Sequence, residues 1–175
     1  LNLGLLTDDD PDSVQRNRAK LSAEIGGRLA YIRQVHGTDI VEADPDRPGR
    51  EADGQATARP QVGAMVMTAD CLPIAIAAVG AVGVVHAGWR GLANGVIANG
   101  VDAIRALRTG DGPLHAAIGP GAGPCCYEVG EEVHARFGGS ARNGRNLDLK
   151  AIAREQLTRA GDLIGDVEIL AAVKY

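Results

Sequence analysis

Two histidines and one cysteine stand where this chain could most easily stage chemistry. His36 and His86 each sit where a strand-like run gives way to a glycine-containing turn, and Cys71 lies in Thr68-Ala69-Asp70-Cys71 between two apolar runs. Strand ends are where a rigid scaffold collects binding groups. Two imidazoles and a thiolate make a three-ligand zinc set, with the fourth position open for water or substrate. Cys71 with either histidine as base would equally make a nucleophile for an acyl carbon. Spacing alone leaves both readings open, beside that of three ordinary, partly buried side chains. No short ligand pair such as CxxC or HExxH occurs to decide it. Asp70, one residue before the thiol, could orient a base, act as an acid, or simply cap a turn.

The segment His86-Ala87-Gly88-Trp89-Arg90-Gly91 has anion-binding logic. A glycine-rich strand-to-helix turn presents backbone N–H groups, and Arg90 adds a guanidinium beside Gly88. Its signal is weaker than a Walker loop, and Arg90 could instead pair with a carboxylate. A second loop of this kind starts at Gly119 and runs to Pro124. His115 and His134 read as surface or structural groups, and the adjacent Cys125 and Cys126 as small buried hydrophobes. Trp89 and Tyr127 are candidates for stacking on a flat ligand, or for packing.

These residues need elements to hold them. Asp10-Pro11 signals a helix start, with Val14, Leu21 and Ile25 on one face and Gly26-Gly27 as the stop. Alternation predicts a strand over residues 29–36, and another over 39–43. Residues 44–60, rich in Pro, Gly, Asp and Arg, read as a loop. Residues 64–68, 72–79 and 81–85 are nearly continuous apolar runs, the pattern of strands covered on both faces. Leu92, Val96, Ile97, Val101, Ile104 and Leu107 follow at helical spacing. Gly95 and Gly100 inside that helix cost about 1 kcal/mol each against alanine and would allow close packing on the sheet. A short strand over 115–118, a helix over 127–137, a helix from Leu149 to Ala160 capped by Asp148 and closed by Gly161, and a strand over 167–173 complete an α/β (α+β) fold, a layered sandwich with a mixed sheet and flanking helices. The 175 residues fit one catalytic domain.

Composition narrows the partners. The net charge is −4 and basic residues are scattered, so there is no electrostatic reason to expect nucleic acid. The longest apolar stretch is broken by Pro73, Gly80 and Gly83 and is too short to span a bilayer. Three cysteines, an odd count, argue against a disulfide framework and for a reducing, cytoplasmic compartment. Only 3% of residues are aromatic, so the core must be built from Ala, Val, Ile and Leu, and base stacking has few candidates. The assembly is expected to be a monomer or a small homo-oligomer.

Four segments, taken together and in order, carry a resemblance. They are Gln34-Val35-His36-Gly37, Thr68-Ala69-Asp70-Cys71-Leu72-Pro73, His86-Ala87-Gly88-Trp89-Arg90-Gly91, and Gly119-Pro120 followed by Cys125-Cys126-Tyr127-Glu128-Val129-Gly130. With the pair Asn17-Arg18 near the start, they closely resemble the YfiH-like family. Its members were long labelled laccase-domain or multicopper polyphenol oxidases and later recognised as purine nucleoside phosphorylases. The resemblance implies zinc on His36, Cys71 and His86, and phosphorolysis of adenosine, inosine, guanosine and methylthioadenosine, with deamination of adenosine besides. It implies a YfiH/CNF-like fold, likened to bacterial toxin deamidases with a Cys–His site. On this reading purine nucleosides and phosphate are the partners, Arg90, Gly88 and Gly119 hold phosphate, and Asp70 protonates the departing base. The deaminase signature H-x-E…P-C-x-x-C is missing, so deamination would need another arrangement.

Three rivals make different demands. A copper oxidase also uses two histidines and a cysteine at one centre, but a trinuclear cluster takes many more imidazoles than this chain holds. A metal-free cysteine hydrolase would act on amides such as cell-wall peptide precursors. A non-catalytic binding module would leave the trio at the strand ends without purpose. The family pattern has Cys at many members' equivalent of Gly121. It also has a strand before Leu1 and an Arg-bearing segment after Tyr175, so this sequence is expected to be truncated at both ends.

Overall fold

Asp10 caps the first helix as its position demands: its carboxylate accepts from the Asp12 and Ser13 amides, Pro11 opens the first turn, and Gly26 ends it at φ +64°. The computed structural model describes residues 2–5 and 7–160 and the backbone of residues 164–169. In chain order its elements are α1 (Pro11–Ile25), β1 (Arg28–Ala30), β2 (Ile32–Arg33), β3 (Ile40–Glu42), β4 (Arg50–Glu51), β5 (Gly54–Thr57), β6 (Val62–Ala64), β7 (Leu72–Ala78) and β8 (Ala81–Ala87). There follow α2 (Trp89–Asn94), α3 (Val96–Leu107), β9 (Leu114–Ile118), α4 (Glu131–Arg136), β10 (Arg142–Asn143), β11 (Asn146–Leu147), α5 (Leu149–Ala160) and β12 (Ile164–Ile169).

Six strands form a mixed sheet in the order β12-β9-β7-β8-β5-β3. β7 and β8 are an antiparallel hairpin with Leu72 opposite Ala87 and Ala78 opposite Ala81. β5 and β9 pair antiparallel to the hairpin on either side, and β3 and β12 add parallel outer partners. The expected α/β architecture is therefore present. Val96, Ile97, Val101 and Ile104 of α3 and Ile152 and Leu157 of α5 are buried in one core with Leu72, Ile74 and Ile76 of β7. Gly100 lets α3 approach closely: a Cβ there would lie 2.6 Å from Val85 Cγ2 and 3.4 Å from Ile76 Cδ1.

Several expectations need correction. The sheet is not covered on both faces. Val82 is 48% exposed and Ile25 47%, and an open apolar groove of about 560 Å³ lies between Leu21, Ile25, Leu29, Val62, Ala75 and Val82. The 29–36 run is interrupted into β1 and β2, each pairing parallel with a different short strand. Of the 64–68 run only Ala64 belongs to a strand, β6. The 44–60 loop contains β5, all four residues of which are buried against β8. The long helix is two, because Gly95 takes φ +94°, which ends α2 and starts α3. Glycine's freedom at positive φ decides that break, not close packing: a Cβ at Gly95 would meet nothing within 4 Å. The 127–137 helix shrinks to α4, because the Tyr127 carbonyl and the Val129 amide bond across to Leu147 and Arg145. Asp148 caps α5 through the Ala151 amide, at 3.0 Å; closure at Gly161, and residues 170–173 of the last expected strand, lie outside the described residues.

Candidate metal centre

The β7–β8 hairpin and the turn after β2 bring the trio together. Leu72 opposite Ala87 places the residue before β7 beside the end of β8, so Cys71 meets His86 and the following Gly88. His36 comes in from the 35–38 turn. Its ring meets that of His86 edge-on, with centroids 4.9 Å apart, and its Nε2 lies 3.9 Å from Cys71 Sγ. One ligand atom from each of His36, Cys71 and His86 lies within 4.8 Å of the others. Tetrahedral zinc bonds of about 2.0–2.3 Å put ligand atoms about 3.4–3.6 Å apart, so small side-chain movements would close the set around one ion. The donor chemistry of two imidazoles and a thiol fits such an ion.

The group that orders this arrangement is one the sequence reading passed over. Asp53, fully buried, stands just before β5. Its Oδ1 lies 2.8 Å from His86 Nδ1 and 2.9 Å from the His36 amide nitrogen. Its Oδ2 accepts from the amides of Gly37 at 2.6 Å and Val35 at 3.2 Å. Burial opposes its charge, yet hydrogen bonds from His86, Gly37 and Val35 hold the carboxyl below its ordinary range. An ionised carboxylate can only accept, so His86 carries its proton on Nδ1 and turns Nε2 toward the trio. Burial, opposed by Asp53 and assisted by His36, keeps the His86 imidazole below its ordinary range and so neutral. His36 itself adopts φ +58°, a left-handed conformation uncommon for a residue with a side chain.

Cys71 has the opposite bias from a free nucleophile. Burial pushes its thiol up, and the carboxylates of Asp70 and Asp53 add to the effect, whereas an activated cysteine needs a lowered pKa. Because the thiol keeps its proton near neutrality while His86 is already neutral, capture of one ion should release about one proton. Affinity should then fall at least about tenfold for each pH unit of acidification below neutrality, because protons also compete for the imidazole donors as the pH drops. Titration calorimetry in buffers of different ionisation enthalpy counts that proton; a count near zero would contradict ligation through Cys71.

Gly88 is the floor of the site. A Cβ there would lie 2.9 Å from Cys71 Sγ and 3.2 Å from His36 Cδ2, while its φ of −82° suits any residue. Gly88→Ala therefore disturbs the ligands without a backbone penalty. It should weaken metal binding roughly tenfold or more with little change in the unfolding midpoint of the metal-free protein, read by chelator competition and by circular dichroism.

The remaining candidates fall at unequal distances from this centre. Asp70 is exposed; its carbonyl accepts from the Ala122 amide at 2.8 Å, and its charge is felt by both Cys71 and Tyr127. Tyr127 is half-buried, and burial raises its phenol, with Cys71 and Asp70 adding and Arg90 opposing. Loop 119–127 is thereby placed beside the ligand loop. Arg90 is exposed and stacks on the Trp89 ring, 4.5 Å from its centroid; no ion pair to a carboxylate of the described residues engages it. The Gly119 amide is committed to the Pro73 carbonyl at 2.8 Å, and its missing Cβ makes room for the Pro73 ring. That N–H is not free for an anion. His115 is exposed on β9. His134 is buried, not at the surface, with Nε2 3.3 Å from the Arg145 carbonyl oxygen. Cys125 and Cys126 are exposed rather than buried, their sulfurs 3.4 Å apart.

A family model described as multi-copper polyphenol oxidoreductase laccase matches residues 1–171. The chain is 40% identical over 185 residues to a purine nucleoside phosphorylase of Xylella fastidiosa, covering 92% of this chain and 70% of that one. It is 45% identical over 139 residues to the purine nucleoside phosphorylase PA4543 of Pseudomonas aeruginosa, covering 78% and 56%. Over 144 residues it is 37% identical to the purine nucleoside phosphorylase YfiH of Escherichia coli, covering 78% and 57%. The solved structure of Neisseria meningitidis protein NMB0706 superposes with a TM-score of 0.84 at 34% identity, over 98% of this chain and 74% of that one. YlmD of Geobacillus stearothermophilus gives 0.83 at 29% identity and the same coverage. The chain belongs to this laccase-described family, and its relatives there are the YfiH-type proteins.

The family's description and the residues disagree on one point. All four histidines are described, and only His36 and His86 meet. A mononuclear ion fits them; among the described residues the other two imidazoles, His115 and His134, do not come together in a second cluster.

Proposed function

We propose that this chain is a zinc-dependent purine nucleoside phosphorylase acting on adenosine, inosine, guanosine and methylthioadenosine. The observation that carries the reading is the convergence of His36, Cys71 and His86 in a chain 34–45% identical to proteins named for that activity. A bound zinc ion would supply a Lewis acid at the open position of the trio.

The chain's own residues have distinct tasks. A phosphate oxygen must attack the anomeric carbon while the C–N glycosidic bond breaks and the purine leaves with its electron pair and takes up a proton. Arg90, a cation with no carboxylate partner among the described residues, stacks on Trp89 two residues beyond Gly88 and is the candidate to hold the phosphate. Asp70, beside Cys71 at the exposed rim, is the candidate to relay to the leaving base a proton taken up from solvent. His36, Cys71 and His86 would hold the ion and leave one position for a substrate oxygen. The Cys71 Sγ–His36 Nε2 approach of 3.9 Å is the one feature a cysteine hydrolase would share, but burial raises the Cys71 thiol, which argues against a metal-free nucleophile.

The test is release of free base from adenosine or inosine by purified, zinc-loaded protein with and without phosphate. Phosphate-dependent release, with ribose 1-phosphate formed in equal amount, is expected. Base release that ignores phosphate, or none from any purine nucleoside, would overturn the reading.

A further inference from the structure

We propose that Asp53 is the positioning residue of the centre, holding both histidine donors through one carboxylate. This rests on the reading of the trio as a metal centre and adds to it a residue that touches no ion. Its two oxygens are both committed, Oδ1 to the His86 ring and the His36 amide, Oδ2 to the Gly37 and Val35 amides. Neither oxygen is left to ligate.

The arrangement couples two elements that lie far apart along the chain. His86 is the penultimate residue of β8, and its backbone amide also donates to the Asp53 carbonyl at 2.7 Å. His36 lies in a turn, 50 residues earlier, held at a left-handed φ. Three successive amides of that turn point at the same carboxylate, so the charge of Asp53 steadies a conformation that a residue with a side chain rarely adopts. The same charge fixes the His86 tautomer. Loss of the carboxylate therefore loosens both imidazoles at once.

Asparagine in its place separates these effects from bulk. An amide keeps the shape, but its NH₂ must face either the turn amides or the His86 N–H, donor against donor. Asp53→Asn should bind cobalt(II) about 10- to 100-fold more weakly than the parent, the range seen when the outer partner of a ligating histidine is lost. The thiolate-to-cobalt charge-transfer band should survive, because Cys71 remains, while the visible ligand-field bands lose intensity as the histidines spread. Asp53→Glu, which keeps the charge and displaces it by a methylene, should fall between the two.

The experiment titrates cobalt(II) into the full chain against a competing chelator and records both band systems. The parent is measured first: failure to form a thiolate–cobalt band would sink the metal reading and this inference with it. Leu157→Ala, a fully buried truncation in α5, supplies the effect of lost stability alone. If the parent binds and Asp53→Asn matches it in affinity and spectrum, or weakens no more than Leu157→Ala, the inference fails while the metal centre stands. Should Asp53→Asn not fold, Asp53→Glu decides on the same criteria.

Discussion

Replacing Cys71 with serine is expected to remove both the ion and the phosphorolysis, while the chain still folds. Cys71 is the only sulfur in the trio, and a hydroxyl is a poor ligand for a soft or borderline cation. Zinc-type Lewis acids contribute several kcal/mol of transition-state stabilisation, and about 4 kcal/mol corresponds to roughly a thousandfold in rate. Phosphate-dependent release of base should therefore fall by at least that order. Cys71 is half-buried at the head of β7 rather than in the core, so the unfolding midpoint of the metal-free variant should stay close to that of the metal-free parent. Metal content by atomic emission, thermal unfolding and the release assay separate the three effects. A serine variant that kept its zinc and its rate would place the centre elsewhere.

Arg90→Ala should leave the ion in place and damage only the use of phosphate. Arg90 follows Gly88 by two residues but is not one of the ligands, and its guanidinium rests on Trp89 rather than on a carboxylate of the described residues. A charge-assisted hydrogen bond contributes about 1.5–3 kcal/mol, which corresponds to roughly 10- to 100-fold in kcat/KM for phosphate. The loss should appear in KM for phosphate, with KM for the nucleoside little changed. Arg90→Lys should recover part of it, because a point charge replaces a fork. Equal kinetics for phosphate in parent and variant would remove Arg90 from the site.

The parts of this molecule that could be read from sequence are those governed by local rules. Asp10, Pro11 and Gly26 announce α1 by capping chemistry, and the β7–β8 hairpin is visible as apolar runs split at Gly80, which turns at φ +79°. The trio was legible because each member sits at an end of such a run. β5 was not: Gly54-Gln55-Ala56-Thr57 has one β-branched residue and follows a loop-like composition, and only its place between β8 and β3 makes it a strand. Asp53 shares that fate, because its partners lie 16–18 and 33 residues away along the chain. The break at Gly95 turns on a single φ, which helical spacing on either side conceals. The exposure of Cys125 and Cys126 is not legible either, because residue type favours burial and only the loop geometry exposes them.

The most direct test of the account is a zinc titration of chelator-treated protein, followed by phosphate-dependent release of base from adenosine. Activity should be absent at the start and rise linearly to a break at about one ion per chain, the stoichiometry of a single three-ligand site. Full activity before any zinc is added, abolished by alkylation of thiols, would contradict the metal centre and point to Cys71 as a nucleophile.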